Sequence, residues 1–222
     1  MKKINQIALI WALTAMSWSL MAQQTPAPKQ NEAISIVGAT AHLGNGQVVQ
    51  QATLVFEHGQ IIALGGPETP TKGQIIRASG KHIYPGFITM GTSLGLIEVD
   101  AVKATDDQSD IGDMIPHVRS IIAYDAESKV VESMRPNGVL MSQVSPKGGM
   151  IAGSSSVVQL DAWNWEDAAV KTDEGIHISW PNPIAQGRWW MGEDPGMKPN
   201  KNYPQQVDRL IQFIQEAKAN FW

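Results

Sequence analysis

The chain has 222 residues, of which 43% are hydrophobic and 17% charged, and a formal charge of −4. That length holds one domain or two small ones, and that composition describes a globular protein rather than a disordered one. The acidic balance repels nucleic-acid phosphates, and the lack of any cysteine excludes disulfides and a lipoprotein anchor.

Residues 1–22 open with Lys2 and Lys3, continue through an apolar run from Ile7 to Leu20 and end at Ala22, the pattern of an export signal. The run is short for a bilayer span, which needs about 20 apolar residues. Leu20 is large for its place before the cut, which leaves a retained amino-terminal anchor as the alternative. Cleavage turns 17 basic residues into 15 against 21 acidic ones, a charge of −6. The expected destination is the periplasm, with no stable membrane span after cleavage. Residues 23–33, with "TPAP", read as a polar linker.

From 34 to 84 the sequence reads as strands. Ile34–Val37, Thr53–Phe56 and Gln60–Leu64 are separated by Gly44-Asn45-Gly46 and His58-Gly59, and Ile75-Ile76 and His82–Tyr84 flank Ser79-Gly80. Such a meander predicts a small antiparallel sheet.

From 85 to 222 strands alternate with helices. The spacing predicts a strand at Phe87–Met90, a helix over Ala126–Arg135 stopped by Pro136-Asn137-Gly138, and a buried strand at Val139–Val144. Further strands are expected at Met150–Ala152, Val157–Leu160 and Ile176–Trp180, then a long loop from Pro181 to Pro204. Val207, Leu210, Ile211, Ile214 and Phe221 mark one face of a last helix, which stops without a glycine cap and suggests a chain cut short.

Several blocks resemble the imidazolonepropionase-like branch of the amidohydrolase superfamily. They are "VGATAHLGNGQVV", "ATLVFEHGQIIALG", "ASGKHIYPGFI", "LGLIEVDAVKATDD", "NGVLMSQVSPKGGMIAGSSSVVQLDAWNWEDA" and "IHISWP", in that order between Ile34 and Pro181. The resemblance implies an α/β fold, with a β-sandwich portion over 34–84 and a TIM-like (β/α)8 barrel over 85–222. It also implies a metal site whose first ligands are two histidines spaced H-x-H after "PGFI". Gly91 and Ser93 stand at those two positions and Thr89 replaces the preceding aspartate, so no metal ligand is carried over. A full barrel takes about 250 residues, whereas 132 follow Met90. The expected barrel is therefore incomplete.

Gly91-Thr92-Ser93-Leu94-Gly95 matches G-x-S-x-G, and Asp125 and His177 follow in the order of a serine-hydrolase triad, but "LIEVDAV" favours a strand or loop where a helix is needed. Asp106, Asp107, Asp110 and Asp113 lack the spacing of a calcium loop and read as solvated or helix-capping acids. His42, His58 and His82 fall at turns or strand ends as surface or packing residues, His117 lies near a helix start, and His177 is the one histidine weighed for a pocket. "SPKGGMIAGSSS" offers backbone donors for an anion but lacks a phosphate-loop ending and reads as turn chemistry. Trp163, Trp165, Trp180, Trp189 and Trp190 are placed to cover a cleft or to seal the open end of the barrel.

The resulting expectation is an exported amidohydrolase-family protein, truncated and lacking its metal site. Its ancestral reaction is hydrolysis of non-peptide carbon–nitrogen bonds by metal-activated water. Catalytic residues stay unassigned, and neither the zinc-like cofactor of the family nor a nucleic-acid partner is expected. The alternative is a non-catalytic subunit that pairs with a homologous amidohydrolase chain or with itself.

Overall fold

A computed structural model describes residues 25–187, 189–192 and 194–220. The expected export segment, residues 1–22, and Phe221, expected on the face of the last helix, lie outside them. The chain divides into two compact units, residues 1–87 and 88–222.

In the first unit, β1 (Ile34–His42), β2 (Val48–Glu57) and β3 (Gln60–Gly65) form the expected antiparallel meander. His58 and Gly59, both at positive φ, close the β2–β3 turn. The other side of β1 departs from expectation. β4 (Gln74–Arg77) and β5 (His82–Ile83) both pair with β1 in parallel, β4 along Ile34–Val37 and β5 along Thr40–Ala41. The sheet is therefore mixed, with the turn at 78–81 stitched to β1 by Ala78 N–H to Val37 O and Thr40 N–H to Lys81 O. Small residues fill its interior, Ala39 and Ala52 being fully buried beside Val55. Ile61, Ile62, Ile75 and Ile76 remain exposed. The end of the Pro-rich stretch joins this unit, because Gln30 Nε2 donates to Phe56 O and Ala33 O accepts from Gln74 N.

The second unit is built on a four-stranded sheet in the order β6 (Phe87–Thr92), β7 (Val139–Val144), β8 (Ile151–Gln159), β9 (Ala169–Ile178). β6 and β7 run in the same direction, since Thr89 reaches Ser142 while the Thr92 carbonyl takes the Ser145 N–H. The crossover between them carries α1 (Lys129–Met134), whose Ser128 side chain caps Val130 and Val131 N–H. Gly138, at positive φ, then turns the chain into β7. β8 is antiparallel to both β7 and β9. The result is a mixed α/β architecture whose second sheet is open, as an incomplete barrel requires, with β6 and β9 as its edges among the described residues.

Leu96, Ile121, Tyr124, Val131, Val144, Val158 and Leu160 form the core, with Ala162 and Ala168 beside α2 (Trp165–Ala168). The long loop expected after Pro181 contains a hairpin, β10 (Ile184–Gln186) with β11 (Met197–Pro199). α3 (Tyr203–Ala219) buries only Leu210 fully, while Ile211 and Ile214 stay exposed. The Arg209 guanidinium holds α3 to Asp113 Oδ2 at 2.7 Å. Among the described residues no helix is long and apolar enough to cross a membrane.

Candidate functional site

The site is the end of β6, where the resemblance places its first metal ligands. Ser142 on β7 is fully buried and anchors this strand end. It accepts the Thr89 hydroxyl at 3.0 Å and shares a 2.8 Å hydrogen bond with Thr92. Between them Gly91 adopts φ +64° and donates its N–H to Gln143 Oε1 at 3.3 Å. A Cβ at 91 would meet nothing within 4 Å, so what restricts the position at that atom is its backbone.

After Thr92 the chain turns, with Leu96 N–H donating to Ser93 O, and Gly95 O accepts from Asp125 N. Gly95 packs directly under Tyr124, where an added Cβ would lie 2.5 Å from the ring. These constraints place Ser93 on the wall of a cleft of about 630 Å³. Its polar lining is the Thr89, Thr92 and Ser93 hydroxyls with Glu98 and Asp100, and its apolar lining includes Leu94, Ile97, Val130, Met134 and Val139. One oxygen of Glu98 is buried without a protein partner.

This geometry does not make a nucleophile elbow. No helix follows Ser93; Ile97 instead bridges antiparallel to Asp106. Asp125 is exposed and spends Oδ1 on Glu127 N–H at 2.8 Å. His177 stands on β9 opposite Gly153, and neither it nor Asp125 lines the cleft.

The metal site implied by the resemblance fits no better. Gly91 has no donor atom, Ser93 offers a neutral hydroxyl, and among the described residues no three His, Cys, Asp or Glu side chains come together. The clustered aspartates are used separately. Lys103 pairs with Asp106 at 3.2 Å and lowers its pKa through that hydrogen bond, Asp110 accepts from Ile111 N–H, and Asp113 accepts from Met150 N–H and Arg209. None of them caps an α-helix among the described residues, which corrects that part of the expectation.

Several of the "SPKGGMIAGSSS" donors are also occupied. Lys147 N–H goes to Gln108 O, Met150 and Ile151 N–H to Asp113 O, and Ser154 N–H to Val118 O. Of its four serines the last three are buried inside β8 and bonded, Ser154 to Asp173, Ser155 to Gly175 O and Ser156 to the Asp173 N–H, while the buried Ser145 hydroxyl has no protein partner. Among the described residues no tryptophan lines the cleft. Trp165 packs on the core, Trp180 donates to the Tyr203 hydroxyl at 3.4 Å, and Trp163 and Trp190 are exposed.

Of the remaining histidines, His58 and His117 are exposed. His42 and His82 meet, with His42 Nε2 and His82 Nδ1 2.9 Å apart and Tyr84 stacked on His42. An all-antiparallel reading gives no reason to bring residues 42 and 82 together; the parallel β1–β5 pairing does.

No protein-family model matches the sequence, and no curated protein matches it. A crystal structure of an amidohydrolase from Thermotoga maritima MSB8 is similar to 67% of this chain, with a TM-score of 0.62 and 19% identity. The similar part spans 39% of that chain. At this identity the likeness establishes the fold alone: this chain shares the fold of that part of the Thermotoga maritima protein.

Proposed function

We propose that the chain is an exported relative of the amidohydrolases, derived from enzymes that cleave non-peptide carbon–nitrogen bonds with metal-activated water, and that it does not perform that hydrolysis itself. The observation that carries this is Gly91: a residue with no donor, held at φ +64°, occupies the strand-end position from which the first ligand would project. Ser93, two residues on, supplies only a neutral hydroxyl, a weak zinc ligand beside imidazole. What remains at that strand end is an open cleft suited to holding a small molecule. Elemental analysis of purified protein, together with assays on N-acyl amino acids and cyclic amides, tests the reading. Less than a tenth of an equivalent of zinc, manganese or iron and no turnover are expected; one equivalent with turnover abolished by chelation refutes it.

A second reading, a non-catalytic subunit paired with a homologous longer chain, is favoured by the open edge of the second sheet. Ile88 and Met90 of β6 and Leu140 of β7 are all more than half exposed. Unpaired edges beside apolar side chains recruit other strands. A monomer by light scattering at micromolar concentration, with no homologue co-purifying from the native source, rules this reading out.

A further inference from the structure

We propose that His42 and His82 form a copper(II) site, a feature independent of the cleft and of the functional reading above. The fold builds the pair: β5 lies parallel to the end of β1, with Thr40 opposite His82 and Ala41 opposite Ile83, so the His42 ring reaches the His82 ring. The ring centroids are 5.2 Å apart, and Nε2 of His42 faces Nδ1 of His82 at 2.9 Å on the surface. Tyr84 lies over His42 at 4.3 Å with 9° between the planes, which limits the rotation of that ring.

A neutral pair carries two N–H protons on four ring nitrogens, and one of them fills the gap between the rings. Moving it to the outer nitrogens, His42 Nδ1–H and His82 Nε2–H, leaves two bare lone pairs at the gap with no net loss of protons. A cation bound to both at about 2.0 Å and at a right angle needs nitrogens about 2.8 Å apart, whereas a tetrahedral angle needs about 3.3 Å. The separation here is that of the hydrogen bond the rings share, and it lets both nitrogens take adjacent equatorial places on copper(II), which prefers right angles and leads the affinity order. Both rings turn about their Cβ–Cγ bonds to aim the two lone pairs at one point beside the line between them, a turn that takes His42 partly out of its stack with Tyr84. Among the described residues no third His, Cys, Asp or Glu joins them, so water completes the coordination.

The test is titration of the untagged full chain with copper(II) chloride at neutral pH, followed by calorimetry and electron paramagnetic resonance. One equivalent is expected, with coupling to two equatorial imidazole nitrogens, and zinc binding at least tenfold weaker. His42→Gln and His82→Gln, surface changes checked by circular dichroism, should each weaken copper by about tenfold or more. Undiminished affinity in both variants overturns the site, as does absence of binding or a spectrum of backbone-amide ligation from the amino terminus. The resonance measurement uses the unaltered chain and decides the matter even where a variant fails to fold.

Discussion

The hydroxyls of Thr92 and Ser142 lie 2.8 Å apart across β6 and β7, and the second of them is completely buried. Because Ser142 also takes the Thr89 hydroxyl, one side chain fixes both ends of the strand segment that lines the cleft. Ser142→Ala leaves two threonine hydroxyls without this partner. A loss of about 0.5–1.5 kcal/mol is expected by urea denaturation, the net worth of a hydrogen bond, because both threonines are only half-buried and line the open cleft, where water replaces the serine. A change below about 0.5 kcal/mol would mean that the pair does not tie β6 to β7.

Gly91 separates two reasons for lacking a ligand. If only the side chain were missing, Gly91→His with Ser93→His would rebuild the pair, since nothing lies within 4 Å of a Cβ placed at 91. The positive φ argues otherwise, because a residue with a Cβ pays about 1 kcal/mol or more in that conformation. Gly91→Ala should therefore lower stability by about that amount despite the open space. The double histidine variant should hold less than one equivalent of zinc by equilibrium dialysis.

Local chemistry made the β1–β3 meander and β7 legible, since alternating apolar residues between turn residues leave few other options. The parallel seating of β4 and β5 was not legible: two-to-four-residue strands carry no mark of direction, and hydrogen bonds to β1 decide it. β8 misled for a related reason. Ser154, Ser155 and Ser156 look like turn residues locally, yet lie inside a strand because β9 and Asp173 satisfy them. At the cleft, the loss of the H-x-H pair was visible at Gly91 and Ser93. The support from Ser142 was not, because it depends on a contact across 50 residues.

Asp173 is a test of how β9 is held. It sits at positive φ, accepts from Arg119 Nε at 2.9 Å and from Ser154 Oγ at 3.0 Å, and receives its own N–H partner from Ser156. The Arg119 hydrogen bond, then that from Ser154, pulls its pKa below the usual carboxylate value of 3.8. The folded state thus releases this proton more readily than the unfolded one. The stabilisation is present above about pH 3.8 and disappears as acid drives the pH down through the folded value. Asp173→Asn should flatten the acid limb of a stability–pH curve below that point, and Arg119→Gln, which removes the largest cause of the lowered value, should flatten it in part. An unchanged acid limb in both variants would assign the acid sensitivity elsewhere.

Tyr124 makes the opposite argument at the alkaline end. Its ring is core, only 5% exposed and packed against Gly95, but its hydroxyl is buried with no protein partner. Burial raises its pKa well above the usual 10, Asp125 adding to the effect and Arg135 opposing it. The unfolded tyrosine ionises first, so the folded state loses stability as the pH climbs above about 10. Tyr124→Phe keeps the ring and removes the stranded oxygen. It should leave stability at neutral pH unchanged or raise it by up to about 1 kcal/mol, and should flatten the alkaline limb. Tyr124→Ala deletes the ring as well and should cost about 3–5 kcal/mol. If Phe proved as damaging as Ala in chemical denaturation, the hydroxyl would have to be making a bond that holds the turn after Ser93 in place.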